Sequence, residues 1–309
     1  MSGLLYPLVF INSSINNETQ QFLFLISGII VNTELLFLYF QIFSSYLECK
    51  RYPETKNEKS WDNYVKACLE KDEREEKRTE SNNKLTSTDI SRKALHLIPP
   101  AVIISTLLIS NLLNNIGILS SWGLDVQGFS IWAIFSLGMA FVLMFATGDL
   151  FRLTNRYEIL PNWAQKWFNS AMKRDEWGTM MGNIPIALTL IPFLYFDIPI
   201  LISVTLIATV ADASASLVGK LIGRIKLSKN SKYIANKTVE GHIAGGIVSF
   251  LVVFLTNLVF NVILITNLVM SGVATALFLI VDRYAHRISD NILNPLLCGL
   301  GLIIVYSIF

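Results

Sequence analysis

The chain has 309 residues, 52% of them hydrophobic and 16% charged, with a formal net charge of +2 and a mean hydropathy of +0.50. A soluble domain is about 45–50% apolar and about 25% charged, so this composition has too few charges to cover a water-facing surface. It argues against a soluble enzyme, a disordered chain or a nucleic-acid binder and for an all-α integral membrane protein. Three cysteines, Cys49, Cys68 and Cys298, show no C-x-x-C spacing and read as unpaired thiols rather than a disulfide framework or zinc site.

Residues 1–20 lack a basic leader region and read as an extracytoplasmic tail. Its short apolar stretch Leu4–Ile11 suits an interfacial segment, and Asn12-Ser13-Ser14 and Asn17-Glu18-Thr19 are glycosylation sequons. A membrane crossing needs about 20 apolar residues. Eight candidates follow in order: Gln21–Leu47, Ala94–Leu119, Phe129–Thr147, Met180–Phe196, Ile198–Leu221, His242–Phe260, Val262–Val281 and Ile292–Phe309. The chain thus divides into the tail, a first transmembrane helix at 21–47, a charged segment at 48–91 and a transmembrane catalytic domain at 92–309. The charged segment reads as a solvated helix or a flexible linker.

All 25 Lys/Arg residues fall between Lys50 and Lys93, Arg152 and Arg174, Lys220 and Lys237, or at Arg283 and Arg287. These are the connections after the first, third, fifth and seventh candidate spans. Basic residues mark the cytoplasmic side, so both termini are expected outside and the four basic loops inside.

The fifth span ends in Asp212-Ala213-Ser214-Ala215-Ser216-Leu217-Val218-Gly219-Lys220-Leu221-Ile222-Gly223-Arg224. On a helix Asp212, Ser216, Gly219 and Gly223 share a face. Small residues there suit close helix packing, whereas an ionisable group at a membrane edge points to function. The following loop supplies Lys220, Arg224, Lys226, Lys229 and Lys232, then Lys237-Thr238-Val239-Glu240-Gly241-His242. Lysines neutralise phosphates, glycines permit close approach and paired carboxylates can hold Mg²⁺. The same basic charge also fits a plain inside loop. The chain has no Walker P-loop.

These residues resemble a known signature. Asp212-x-x-Ala215-Ser216-x-x-Gly219-x-x-x-Gly223 followed by Lys237-Thr238-x-Glu240-Gly241 is similar to the pattern of the CTP-dependent polyprenol and lipid kinases. That family includes dolichol kinase, phytol kinase and CTP-dependent diacylglycerol kinase, and is related to phosphatidate cytidylyltransferase. Arg92-Lys93-x-x-His96, Gly148-Asp149-Leu150-Phe151-Arg152 with Glu176, and Asp290-Asn291-x-x-x-Pro295 resemble further family segments in the same order. The resemblance covers about Arg92 to Gly299. Where the family often has Glu about eight residues before its D-N pair, this chain has Asp282.

The resemblance implies transfer of the γ-phosphate of CTP to an isoprenoid alcohol in the lipid bilayer, with Mg²⁺ as cofactor and the active site on the cytoplasmic face. Asp212 and Glu240 would hold the metal, and Lys237 would contact the triphosphate. Asp290, or else His96, would orient or deprotonate the alcohol. Ser216, Gly219, Lys220, Gly223, Arg224, Thr238, Gly241 and Asn291 would line the nucleotide, and Arg92, Lys93, His96, Asp149, Arg152 and Glu176 the lipid headgroup. A cytidylyltransferase acting on a lipid phosphate is the nearest alternative, and a transporter a further one.

Overall fold

In a computed structural model the described residues are 17–52, short pieces between 54 and 73, 87–171, 182–227, 237–285 and 289–309. The expected tail up to residue 16, Glu176, Lys229 and Lys232 lie outside them. Helix dominates, and the described residues include one antiparallel bridge, between Lys226 and Thr238. The described residues divide into two compact units: those up to 92 together with 105–184, and those of 93–104 and 185–309.

The first unit contains α1 (Asn17–Arg51), most of α2 (Ser87–His96), the later part of α3 (Ile98–Asn115), the single turn α4 (Ile118–Ser121), α5 (Val126–Leu153) and α6 (Asn162–Ala171). Lipid supplies little hydrophobic drive for helices to associate, so polar side chains and close packing hold them. Trp132 of α5 donates its indole N–H to Ser27 Oγ of α1 at 2.6 Å, and Ser27 Oγ lies 3.0 Å from Ser136 Oγ. Ser130 donates to Ser110 at 2.7 Å. Asp125 caps α5 by accepting the Gly128 amide at 2.8 Å, and Lys50 and Arg51 close α1 against its negative end.

The second unit is built from the end of α2 and the start of α3 (residues 93–104), most of α7 (Asn183–Leu190), a 3₁₀ turn (Ile191–Tyr195), α8 (Ile198–Leu206), a π-helical turn (Ile207–Ala211), α9 (Asp212–Leu221), α10 (Val239–Val259), α11 (Leu264–Tyr284) and α12 (Asp290–Ile308). The sequential helices α9 to α12 pack on their neighbours in turn. Asn261, at φ 56°, turns the chain between α10 and α11, and Asn267 ties that turn down by donating to Phe254 O at 3.0 Å.

Seven helices among the described residues are long and apolar enough to cross a membrane: Gln21–Arg51, Lys93–Asn115, Val126–Leu153, Ile198–Leu221, Val239–Val259, Leu264–Tyr284 and Asp290–Ile308. They match seven of the eight expected segments within a few residues. The remaining one, Met180–Phe196, differs: its described part is the eight-residue α7 followed by the five-residue 3₁₀ turn. Pro192 in that turn has no N–H to extend the α-helical ladder, and the apolar helix Ile184–Tyr195 is shorter than the other seven.

Candidate functional site

Asp212 begins α9 directly after the π-helical turn that interrupts the Ile198–Leu221 span. Such turns inside α-helices often mark functional positions. A lone carboxylate inside a spanning helix is costly, and here Lys93 of α2 offsets it, with Nζ 2.5 Å from Asp212 Oδ2. The two side chains are 17% and 18% exposed, so the pair is partly open. His96, three residues beyond Lys93, is buried and lies within the field of Asp212.

A second ionic group forms around Asp282 at the end of α11. Lys237 Nζ donates to Asp282 Oδ1 and to its backbone carbonyl, each at 2.8 Å, and lies 3.7 Å from Asp290 Oδ2. The other oxygen of Asp282 takes His242 Nδ1 at 2.6 Å. Lys237 lies outside the spanning helices. Burial works against its ammonium, but the carboxylates of Asp282 and Asp290 and the hydrogen bond to Asp282 outweigh it and raise its pKa above the ordinary lysine value. Asp290 also lies within the electrostatic reach of Asp212 and Lys93. Three carboxylates face two ammonium groups, which leaves one excess negative charge while His96 and His242 are both neutral.

The Lys-Thr-x-Glu-Gly segment has a local structural role as well. Thr238 caps α10 by accepting the Gly241 amide at 3.2 Å. Residues 225–227 pair with 237–239 through Leu227 N–Lys237 O at 2.9 Å and Val239 N–Ile225 O at 2.8 Å. Glu240 completes this clasp: its carboxylate accepts the amides of Arg224 at 2.9 Å and Ile225 at 3.2 and 3.3 Å. It takes no part in the ion pairs of Asp212 or Asp290.

The glycine face of α9 packs on the clasp. A Cβ on Gly219 would come within 2.9 Å of Thr238 Oγ1, and one on Gly241 within 2.9 Å of Gly219 Cα. Gly223 is likewise crowded by Thr238 and the Gly219 carbonyl. Protein therefore fills the face expected to admit a nucleotide.

Of the remaining expected residues, Ser216 is half-buried and Lys220 and Arg224 are exposed on or just after α9. Asn291 lies in the first turn of α12, its amide donating to Ser289 Oγ at 3.3 Å. Arg92 lies on α2. Asp149 and Arg152 belong to the first unit, fully buried, where the guanidinium meets Asp149 Oδ1 at 2.9 Å and lies 5.9 Å over the Phe168 ring.

Sequence reasoning missed His242 and gave Asp282 no role. One signal was available for Asp282: an acidic residue in the last turn of an apolar helix opposes the helix dipole and calls for a local cation. Among the described residues no group of three His, Cys, Asp or Glu side chains is arranged to hold a metal ion. No family model, curated protein or solved structure matches this chain.

Proposed function

We propose that the chain is a membrane lipid kinase that moves the γ-phosphate of CTP onto an isoprenoid alcohol at the cytoplasmic face. The observation that carries this reading is the ionic cluster. Lys93, Asp212, Lys237 and Asp290 come from four separated segments, each with its own resemblance to the CTP-dependent lipid kinases, and they share one electrostatic neighbourhood. Packing alone gives no reason for all four to converge.

Phosphoryl transfer depends on positioning and charge neutralisation more than on covalent help from the protein. The alcohol O–H bond and the bond from the γ-phosphorus to the β-phosphate oxygen break, a new O–P bond forms, and CDP leaves. Lys237 suits the triphosphate. Two of its contacts are firm 2.8 Å bonds to Asp282, while Asp290 at 3.7 Å is the looser partner that an incoming phosphate oxygen would displace.

Mg²⁺ is usually held by one or two carboxylates together with substrate phosphates. Asp212 and the cluster's excess negative charge fit that donor set. Glu240 does not, because its oxygens are committed to the Arg224 and Ile225 amides, so in this reading it closes the loop and is not a ligand. When bound, the ion would neutralise charge on the phosphates.

The topology belongs to the same proposal. Eight crossings, with Ile184–Tyr195 forming the short fourth, keep all four basic loops on the cytoplasmic side.

Replacing Asp212 by Asn keeps the side-chain shape and removes its charge. Turnover of the purified protein should fall by about two orders of magnitude or more, with thermal stability retained. Turnover near that of the wild type would make Asp212 a packing residue.

A further inference from the structure

Asp282 joins two side chains that the motif alone leaves unrelated. One carboxylate oxygen holds Lys237 Nζ at 2.8 Å and the other holds His242 Nδ1 at 2.6 Å. Asp282 is buried and the His242 side chain is 15% exposed. A carboxylate accepts and does not donate, so Nδ1 carries the proton in that bond. In the neutral ring the lone pair is then on Nε2, which has no partner among the described residues. An imidazole oriented by a carboxylate, with its far nitrogen unengaged, has the geometry of a general base.

We propose that His242, oriented by Asp282, takes the proton of the acceptor hydroxyl; this rests on the kinase reading above. In the step the alcohol O–H bond breaks and its proton goes to His242 Nε2. The alkoxide oxygen bonds to the γ-phosphorus, the bond to the β-phosphate oxygen breaks, and CDP leaves with that electron pair. The proton on Nε2 passes to solvent when the products depart. Asp290 is less suited to this task, because its 3.7 Å approach to Lys237 fixes its direction less firmly than the 2.6 Å bond to Asp282 fixes the His242 ring. Asp282 thereby acts as a positioning residue. It holds the phosphate-facing lysine and the base on the two oxygens of a single carboxylate.

The test uses the full chain in lipid nanodiscs with CTP labelled at the γ position and a polyprenol acceptor. For His242→Ala, kcat should fall by about two to four orders of magnitude, with CTP binding by equilibrium dialysis unchanged within twofold. Added imidazole should then restore turnover in a saturable way, because it can occupy the vacated ring position. His242→Gln should lose kcat equally, yet gain nothing from imidazole since no space is opened. Asp282→Asn, which also loosens the hold on Lys237, should lower kcat and weaken CTP binding together, without imidazole rescue. Rescue of His242→Ala alone, with CTP binding preserved, supports the proposal, since a purely structural histidine would not respond. Retained kcat in His242→Ala, no rescue, or loss of CTP binding would overturn it while leaving the kinase reading in place. Absence of label in the lipid with the wild-type protein would overturn the kinase reading, and this proposal with it.

Discussion

Asp149 and Arg152 show how a single pair can matter to a membrane helix. Both are fully buried, one turn apart on α5, and the Arg152 guanidinium also lies over Phe168. Removing one partner takes the adjacent counter-charge from a fully buried side chain, which costs about 3–5 kcal/mol, whereas replacing both by apolar residues is often close to neutral. Asp149→Ala should therefore sharply lower the thermal midpoint in detergent, and the double change Asp149→Leu with Arg152→Met should recover much of the loss. Additive effects of the two changes would mean that the pair is not coupled. At this scale the sequence marked the charged positions well, since any Asp, Lys or Arg within an apolar run stands out. It did not reveal their partners. Lys93 and Asp212 are 119 positions apart, and His242 meets Asp282 only because α10 and α11 pack side by side.

The joined helices α9 and α10 depend on the absence of side chains at their crossing. A Cβ at Gly241 would come within 2.9 Å of Gly219 Cα, backbone that has no room to retreat, whereas at Gly272 on α11 it would meet nothing within 4 Å. Gly241→Ala should destabilise the protein by about 1–3 kcal/mol, the usual cost of overpacking, while Gly272→Ala should leave the detergent melting midpoint unchanged. Equal effects would contradict the packing account. Most element boundaries were legible in the sequence because apolar length is a strong signal: Ile198–Leu221 agrees end to end. Two features were not. The π-helical turn at Ile207–Ala211 leaves no mark on hydropathy, and a run of glycine spaced along a helix reads equally as a ligand face or as a contact for another backbone. Pro192 is visible in the fourth segment, but apolar length is the stronger signal there.

Across the whole molecule, the proposed topology rests on the distribution of charge. All 25 Lys/Arg residues occupy four connections, and an even number of crossings keeps both termini on the same side. With eight crossings, cysteine placed at Ser2 or at Ser307 in a background lacking the native cysteines should react with an impermeant maleimide in intact cells, and cysteine at Ser231 should not. Labelling at only one terminus would show that Ile184–Tyr195 does not cross. Labelling at Ser231 in intact cells would put the basic loop, and the cluster beside it, on the side of the membrane without CTP. The most direct test of the function itself follows phosphorus. Purified protein is supplied with Mg²⁺, a polyprenol and CTP labelled separately at the α and γ positions. A lipid kinase leaves γ-label in the lipid and releases CDP in equal amount. Label from the α position in a lipid, with pyrophosphate released, would contradict it and identify nucleotidyl transfer instead.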